Sequence, residues 1–149
     1  MIGFFGATPL LADPVAWVDR CLDEVAEQEA SGPKRGAFKE RECMSIILNY
    51  CSFADPSESC FEGLVDGFSQ RAAQIIATLP EQVSGTEIQK NIYGRRLNAI
   101  KNVKTTLQCR EDMDALACDA RAALYQYSLA TGLPDLVTRI EKLELEDIK

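Results

Sequence analysis

The chain has 149 residues, a length that suits one domain with a real core and not two. Sixteen Lys and Arg against 23 Asp and Glu leave a net charge of −7, which argues against a nucleic-acid backbone as partner, because phosphate binding needs a basic face. The same charge favours a cationic partner through steering, beside its simpler role of keeping a small protein soluble.

Six cysteines and no histidine narrow the chemistry further. A Cys–His nucleophile pair lacks its base, and mixed Cys/His zinc sites are excluded. The gaps between successive cysteines are 21, 7, 8, 48 and 8 residues. They do not match the close pairs of an all-cysteine zinc or iron–sulfur site, so no metal or other cofactor is expected. Disulfides in an oxidising compartment are the better account, with buried free thiols acting as small apolar side chains as the alternative.

Residues 1–12 are apolar and uncharged. They resemble the end of a signal-peptide core with a cleavage point near Ala12; an apolar arm packed on the protein is the other reading. No stretch is long enough to span a bilayer. Asp13-Pro14 then opens a helix, with Asp as N-cap and Pro at the first helical position. Trp17, Val18, Cys21, Leu22 and Val25 form its apolar stripe, and it stops before Ser31-Gly32-Pro33. Lys34 to Gly36 reads as a basic, solvated linker.

A second helix is expected from about Ala37 to Ser52, with Met44, Ile47, Leu48 and Cys51 at helical spacing. Cys43 and Cys51 lie on one straight helix and cannot bridge each other. Asp55-Pro56-Ser57-Glu58 signals the next start, with Asp55 as cap, Pro56 opening the helix and Glu58 as capping-box acid. Phe61, Leu64, Val65, Phe68, Ala72, Ile75, Ile76 and Leu79 then mark one continuous apolar face. Gly63 and Gly67 allow a neighbouring helix to come close, and Pro80 ends the element.

Thr86-Glu87-Ile88-Gln89 is a second capping box, opening a helix to about Gln108. Ile88, Ile92, Ile100, Val103 and Leu107 are expected on its inner side. Lys90, Arg95, Arg96, Lys101 and Lys104 give a basic outer side, read as a solvated face. Residues 109–112 interrupt the pattern. Met113, Leu116, Ala117, Ala120, Ala123, Leu124 and Tyr127 form a small-residue helix face, closed by Gly132 as C′. Leu133-Pro134 turns the chain into a short last helix carrying Leu136, Val137, Ile140 and Leu143. With no strand signal, the fold class is all-α: a bundle of five to six helices in one domain over 13–149, stapled by disulfides.

Six cysteines allow fifteen pairings, and spacing does not choose among them. Cys51 and Cys60 flank the Asp55-Pro56 turn, Cys109 and Cys118 flank the break at 110–112, and Cys21 with Cys43 would complete that set. No phosphate loop, nucleophile elbow or metal cluster is present. The acid pairs Asp23/Glu24 and Glu111/Asp112 sit on polar faces or at helix starts, where solvation or capping explains them. An enzyme is not expected.

Cys21-Leu22 on the first helix, Arg41-Glu42-Cys43-Met44 with Cys51 after it, then Cys60, resemble the LprI-like family of lysozyme-inhibitor proteins. Cys109 followed by Ala117-Cys118-Asp119-Ala120-Arg121-Ala122-Ala123-Leu124-Tyr125 looks like that family's closing segment. The resemblance spans roughly Cys21 to Leu133 and rests on cysteine order and helix type. It implies an exported protein, periplasmic or secreted, that binds a cell-wall hydrolase and blocks its cleft; an acidic chain suits a cationic hydrolase. The loops at Ser31–Gly36, Phe53–Ser57 and Glu81–Gly85 are the candidate contact regions, and no individual partner-binding residue is assigned. Three other readings stand beside it. One is a helical carrier of hydrophobic ligands, as in the six-cysteine insect odorant-binding proteins. The second is an envelope interaction or immunity-type protein with its own partner. The third, should the thiols be free, is a cytoplasmic helical adaptor.

Overall fold

The computed structural model describes residues 13–31, 36–103, 107, 109 and 114–148, and these contain six helices and no strand. In chain order they are α1 (Pro14–Ser31), α2 (Gly36–Phe53), α3 (Ser57–Thr78), α4 (Glu87–Lys101), α5 (Ala115–Thr131) and α6 (Leu133–Ile148). The all-α expectation is therefore met. The expected leader at 1–12, most of the Ser31–Gly36 loop with its basic linker, Met113 and the break at 110–112 lie outside the described residues.

Local chemistry accounts for three of the helix starts. The Asp13 carboxylate accepts from the Ala16 backbone N–H at 3.1 Å, capping α1 as its sequence implies. Thr86 and Gln89 form the reciprocal capping box: the Gln89 N–H reaches Thr86 Oγ1 at 3.2 Å, and Gln89 Oε1 accepts from the Thr86 N–H at 2.9 Å. Asp114 caps α5 by accepting from Leu116 N–H.

The start of α3 differs from expectation. The helix begins at Ser57, so the N-cap position falls on Pro56, which has an extended backbone and no side-chain cap bond. Asp55, one residue further out, does not cap it.

The spine of the fold is the pair α3 and α5. α3 turns Cys60, Phe61, Leu64, Phe68 and Ala72 inward. Facing it, α5 buries mainly alanines, Ala120, Ala122, Ala123 and Ala130, with Leu124. Large side chains on one helix against small ones on the other let the two backbones approach while the space between stays filled.

Two cores lie along this spine. The first gathers Val18 from α1, Ile47 and Cys51 from α2, the Cys60–Phe68 face of α3, and Ala120, Ala123 and Leu124 from α5, with Trp17 and Leu22 packed against it. The second joins Val83, then Tyr93, Leu97 and Ile100 of α4, Ala130 of α5, and Leu133 and Ile140 of α6; Ile75 and Ile76 of α3 pack on it. A Cβ built on Gly67 would lie 2.8 Å from Val15 Cγ2, so this glycine is what lets α1 sit down on α3.

All six cysteines are paired. Cys21–Cys43 ties α1 to α2, Cys51–Cys60 closes the α2–α3 turn, and Cys109–Cys118 ties the segment before α5 to its first turn. The Cα–Cα distances are 6.0, 5.3 and 5.9 Å, all within the range a bridge needs.

Three sequence expectations fail in the second half. α4 ends at Lys101, not near Gln108: Asn102 leaves helical backbone angles and bonds back to the Asn98 carbonyl through both its N–H and its side-chain amide. Ile88 is 71% exposed, and the inner face of α4 is Tyr93, Leu97 and Ile100. Gly132 keeps a right-handed conformation and passes the chain straight into α6, which runs for 16 residues and is not short.

Candidate functional site

Two of the expected contact loops lie within the described residues, and they differ in what they present to solvent. Glu81–Gly85 is anchored: Val83 is buried in the second core, and the Tyr93 hydroxyl donates to the Pro80 carbonyl beside it. Gly85 has φ +140°, and a Cβ there would lie 2.4 Å from Gln89 Oε1, so the turn that feeds the α4 capping box requires glycine. Phe53–Ser57 is different. Its first residue, Phe53, is 82% exposed, the most exposed large apolar side chain among the described residues. Ile46, two helical turns earlier on the same side of α2, is also exposed. The Cys51–Cys60 bridge lies directly beneath this turn.

The charged residues singled out from the sequence stay apart. Asp23, Glu24, Lys90, Arg95, Arg96 and Lys101 are exposed, and Lys90 pairs within its own helix with Glu87 at 3.9 Å. A feature the sequence did not signal is a clasp joining three helices. Arg71 of α3 donates to the Asp19 carboxylate of α1. Its guanidinium also lies 5.3 Å from the Phe68 ring centre, and that ring sits 5.0 Å from Tyr127 of α5. The Asp19 hydrogen bond raises the Arg71 pKa, with burial opposing it, so the cation is retained. Burial pushes the Tyr127 hydroxyl up, holding it protonated. These groups pack and pair; nothing in the clasp is placed as nucleophile or base.

A groove runs between α2 and α5, which are antiparallel here. One section, of about 480 Å³, is lined by Arg41, Met44, Leu48, Arg121, Leu124 and Tyr125. The neighbouring section, of about 760 Å³, shares Ser45, Leu48 and Arg121 and continues over Phe61 and Ala117 towards Glu58 and Asp114. The floor is apolar, since Phe61 and Leu124 are buried and Met44, Leu48 and Ala117 half-buried. The charged residues stand exposed at its rim. Ion pairs among the described residues join Arg71 to Asp19 and Lys90 to Glu87, so neither Arg41 nor Arg121 is engaged in one.

No group of three or more His, Cys, Asp or Glu among the described residues is placed to hold a metal ion. Likewise no helix among them is long and apolar enough to cross a membrane. No family description, curated protein or solved structure matches the chain.

Proposed function

We propose that this chain is an exported helical binding protein that holds a partner protein in an oxidising compartment, and that a cationic cell-wall hydrolase is the partner class. The observation that carries the reading is the pairing of all six cysteines. Three bridges persist where thiols are not kept reduced, and this counts against a cytoplasmic adaptor.

The binding role is supported by the α2–α3 turn. Phe53 stands out from the surface while the bridge beneath it fixes the backbone. An apolar anchor on a rigid turn loses little conformational freedom when it is captured. Asp23 and Glu24 on α1 and Glu58, Glu62 and Asp66 on α3 are exposed, adding acidic surface that draws in a cationic partner.

The test is inhibition and binding of a lysozyme by the oxidised protein, across a salt series. The expected result is saturable inhibition that weakens as salt rises, and a Phe53→Ala variant that folds normally but binds about tenfold or more weakly. Unchanged lysozyme activity and no binding at low salt would remove the hydrolase as partner. A Phe53-dependent partner captured from the native envelope would then point to an interaction or immunity-type protein.

A further inference from the structure

The α2–α5 groove combines an apolar floor with two exposed arginines. Its floor of Met44, Leu48, Phe61 and Leu124 is apolar, with Ser45, Asn49, Ser52 and Ser57 along its sides, and among the described residues the section flanked by Arg41 and Arg121 has no acidic residue in its lining. Neither arginine is in an ion pair among the described residues. An exposed guanidinium with five donors, beside an apolar trough, suits a carboxylate or similar anion attached to hydrocarbon.

We propose that this groove binds a single-chain anionic amphiphile, with its headgroup on Arg41 and Arg121 and its chain along Leu48 towards Phe61. The dimensions fit. Each section falls within the usual 300–1,000 Å³ range of small-molecule sites, at about 480 and 760 Å³. From Arg41 to Ser52 the α2 wall extends about 16 Å at 1.5 Å per residue.

The polarity is also directional. Glu58 and Asp114 stand at the far end, so an anion is drawn to the Arg41 end and repelled from the other, which fixes which way the chain lies. The headgroup end, at Arg41 and Arg121, lies away from the Phe53 turn, although the far section reaches Ser57, and the proposal does not depend on the partner-protein reading.

The test is calorimetric titration of the oxidised full chain with dodecanoate below its micelle concentration, and with dodecyltrimethylammonium as the cationic counterpart. Dodecanoate is expected to bind at one site and the cation at least tenfold more weakly. Arg41→Ala and Arg121→Ala are each expected to weaken dodecanoate about tenfold, the loss of one charge-assisted contact, with helical circular dichroism and Phe53-dependent partner binding unchanged. The comparison of ligand charges on the unaltered protein needs no variant to fold. Equal binding of both detergents, arginine variants without effect, or no saturable binding would each overturn the proposal. So would binding of an acidic helical peptide in the absence of dodecanoate binding, which would assign the groove to a protein segment.

Discussion

Reducing the three disulfides with the rest of the chain intact is expected to cost most of the protein's stability. The bridges close loops with sequence separations of 22, 9 and 9, and these loops follow one another without overlapping. Their effects on the unfolded chain are therefore nearly independent. The chain-entropy relation gives about 3.4 kcal/mol for Cys21–Cys43 and about 2.6 kcal/mol for each of the others. Together this is about 8–9 kcal/mol, against about 5–15 kcal/mol for the whole stability of a domain.

Reduction leaves every sulfur atom in place, so it measures the cross-links without opening cavities at Cys43 and Cys51, which are almost wholly buried. At about 2–4 °C per kcal/mol for a protein of this size, Tm should fall by about 20–30 °C. Thermal melts followed by circular dichroism, with and without reductant, supply the measurement. A reduced protein melting within about 5 °C of the oxidised one would refute the reasoning. A loss specific to Cys21–Cys43 smaller than that for Cys109–Cys118, whose cysteines are only half-buried, would refute the loop-length ordering.

Other substitutions probe the packing and the clasp. Gly67→Ala should destabilise by about 1 kcal/mol, because the new methyl meets the stiff Val15 side chain and the strain outweighs the gain in helix propensity. Gly94→Ala, with nothing within 4 Å of the added atom, should stabilise by about 0.5–1 kcal/mol; paired urea titrations show whether the signs are opposite. Phe68→Ala should cost about 3–5 kcal/mol, since the ring is fully buried between Tyr127 and Arg71, and a smaller loss would mean that α3 and α5 collapse onto the space.

Tyr93 and Tyr127 both have pKa values raised by burial. Their contribution is fully present below the unfolded tyrosine pKa of about 10 and is lost as pH rises through the folded values. Tm should therefore fall above about pH 10, and a Tm that rose there would contradict the assignment.

Much of the fold was legible because its signals are local. Asp13-Pro14 and the Thr86–Gln89 box are complete within four residues, and each starts a helix where the sequence placed it. The apolar face of α3 was legible as well, because one strong 3.6-residue period runs its whole length. The cysteine pairing was one of fifteen that spacing left open, and the structure shows the set in which each cysteine joins its neighbour in sequence.

The failures share a cause. Of the inner side expected for α4, Ile100 and Val103 are buried, while Ile88 is exposed and Tyr93 and Leu97 take its place. The choice is made by Ile140 and Leu133 of α6 and by Val83, which periodicity within α4 does not contain. At Asp55-Pro56 the residue types are right for a cap, but the backbone enters the helix one residue later. The Asp19–Arg71–Tyr127 clasp and the Arg41–Arg121 groove were invisible for the same reason. Their members come from helices far apart in the chain, and each residue alone looks like an ordinary surface charge or core aromatic.

The central claim, an exported scaffold held by three bridges, is tested most directly by its free-thiol count and disulfide map. Protein recovered from an oxidising compartment is alkylated under denaturing, non-reducing conditions, weighed intact and then digested unreduced. The account expects no alkylated thiol and linked peptides joining Cys21 to Cys43, Cys51 to Cys60 and Cys109 to Cys118. Six alkylated thiols, or any other set of linked peptides, would contradict it.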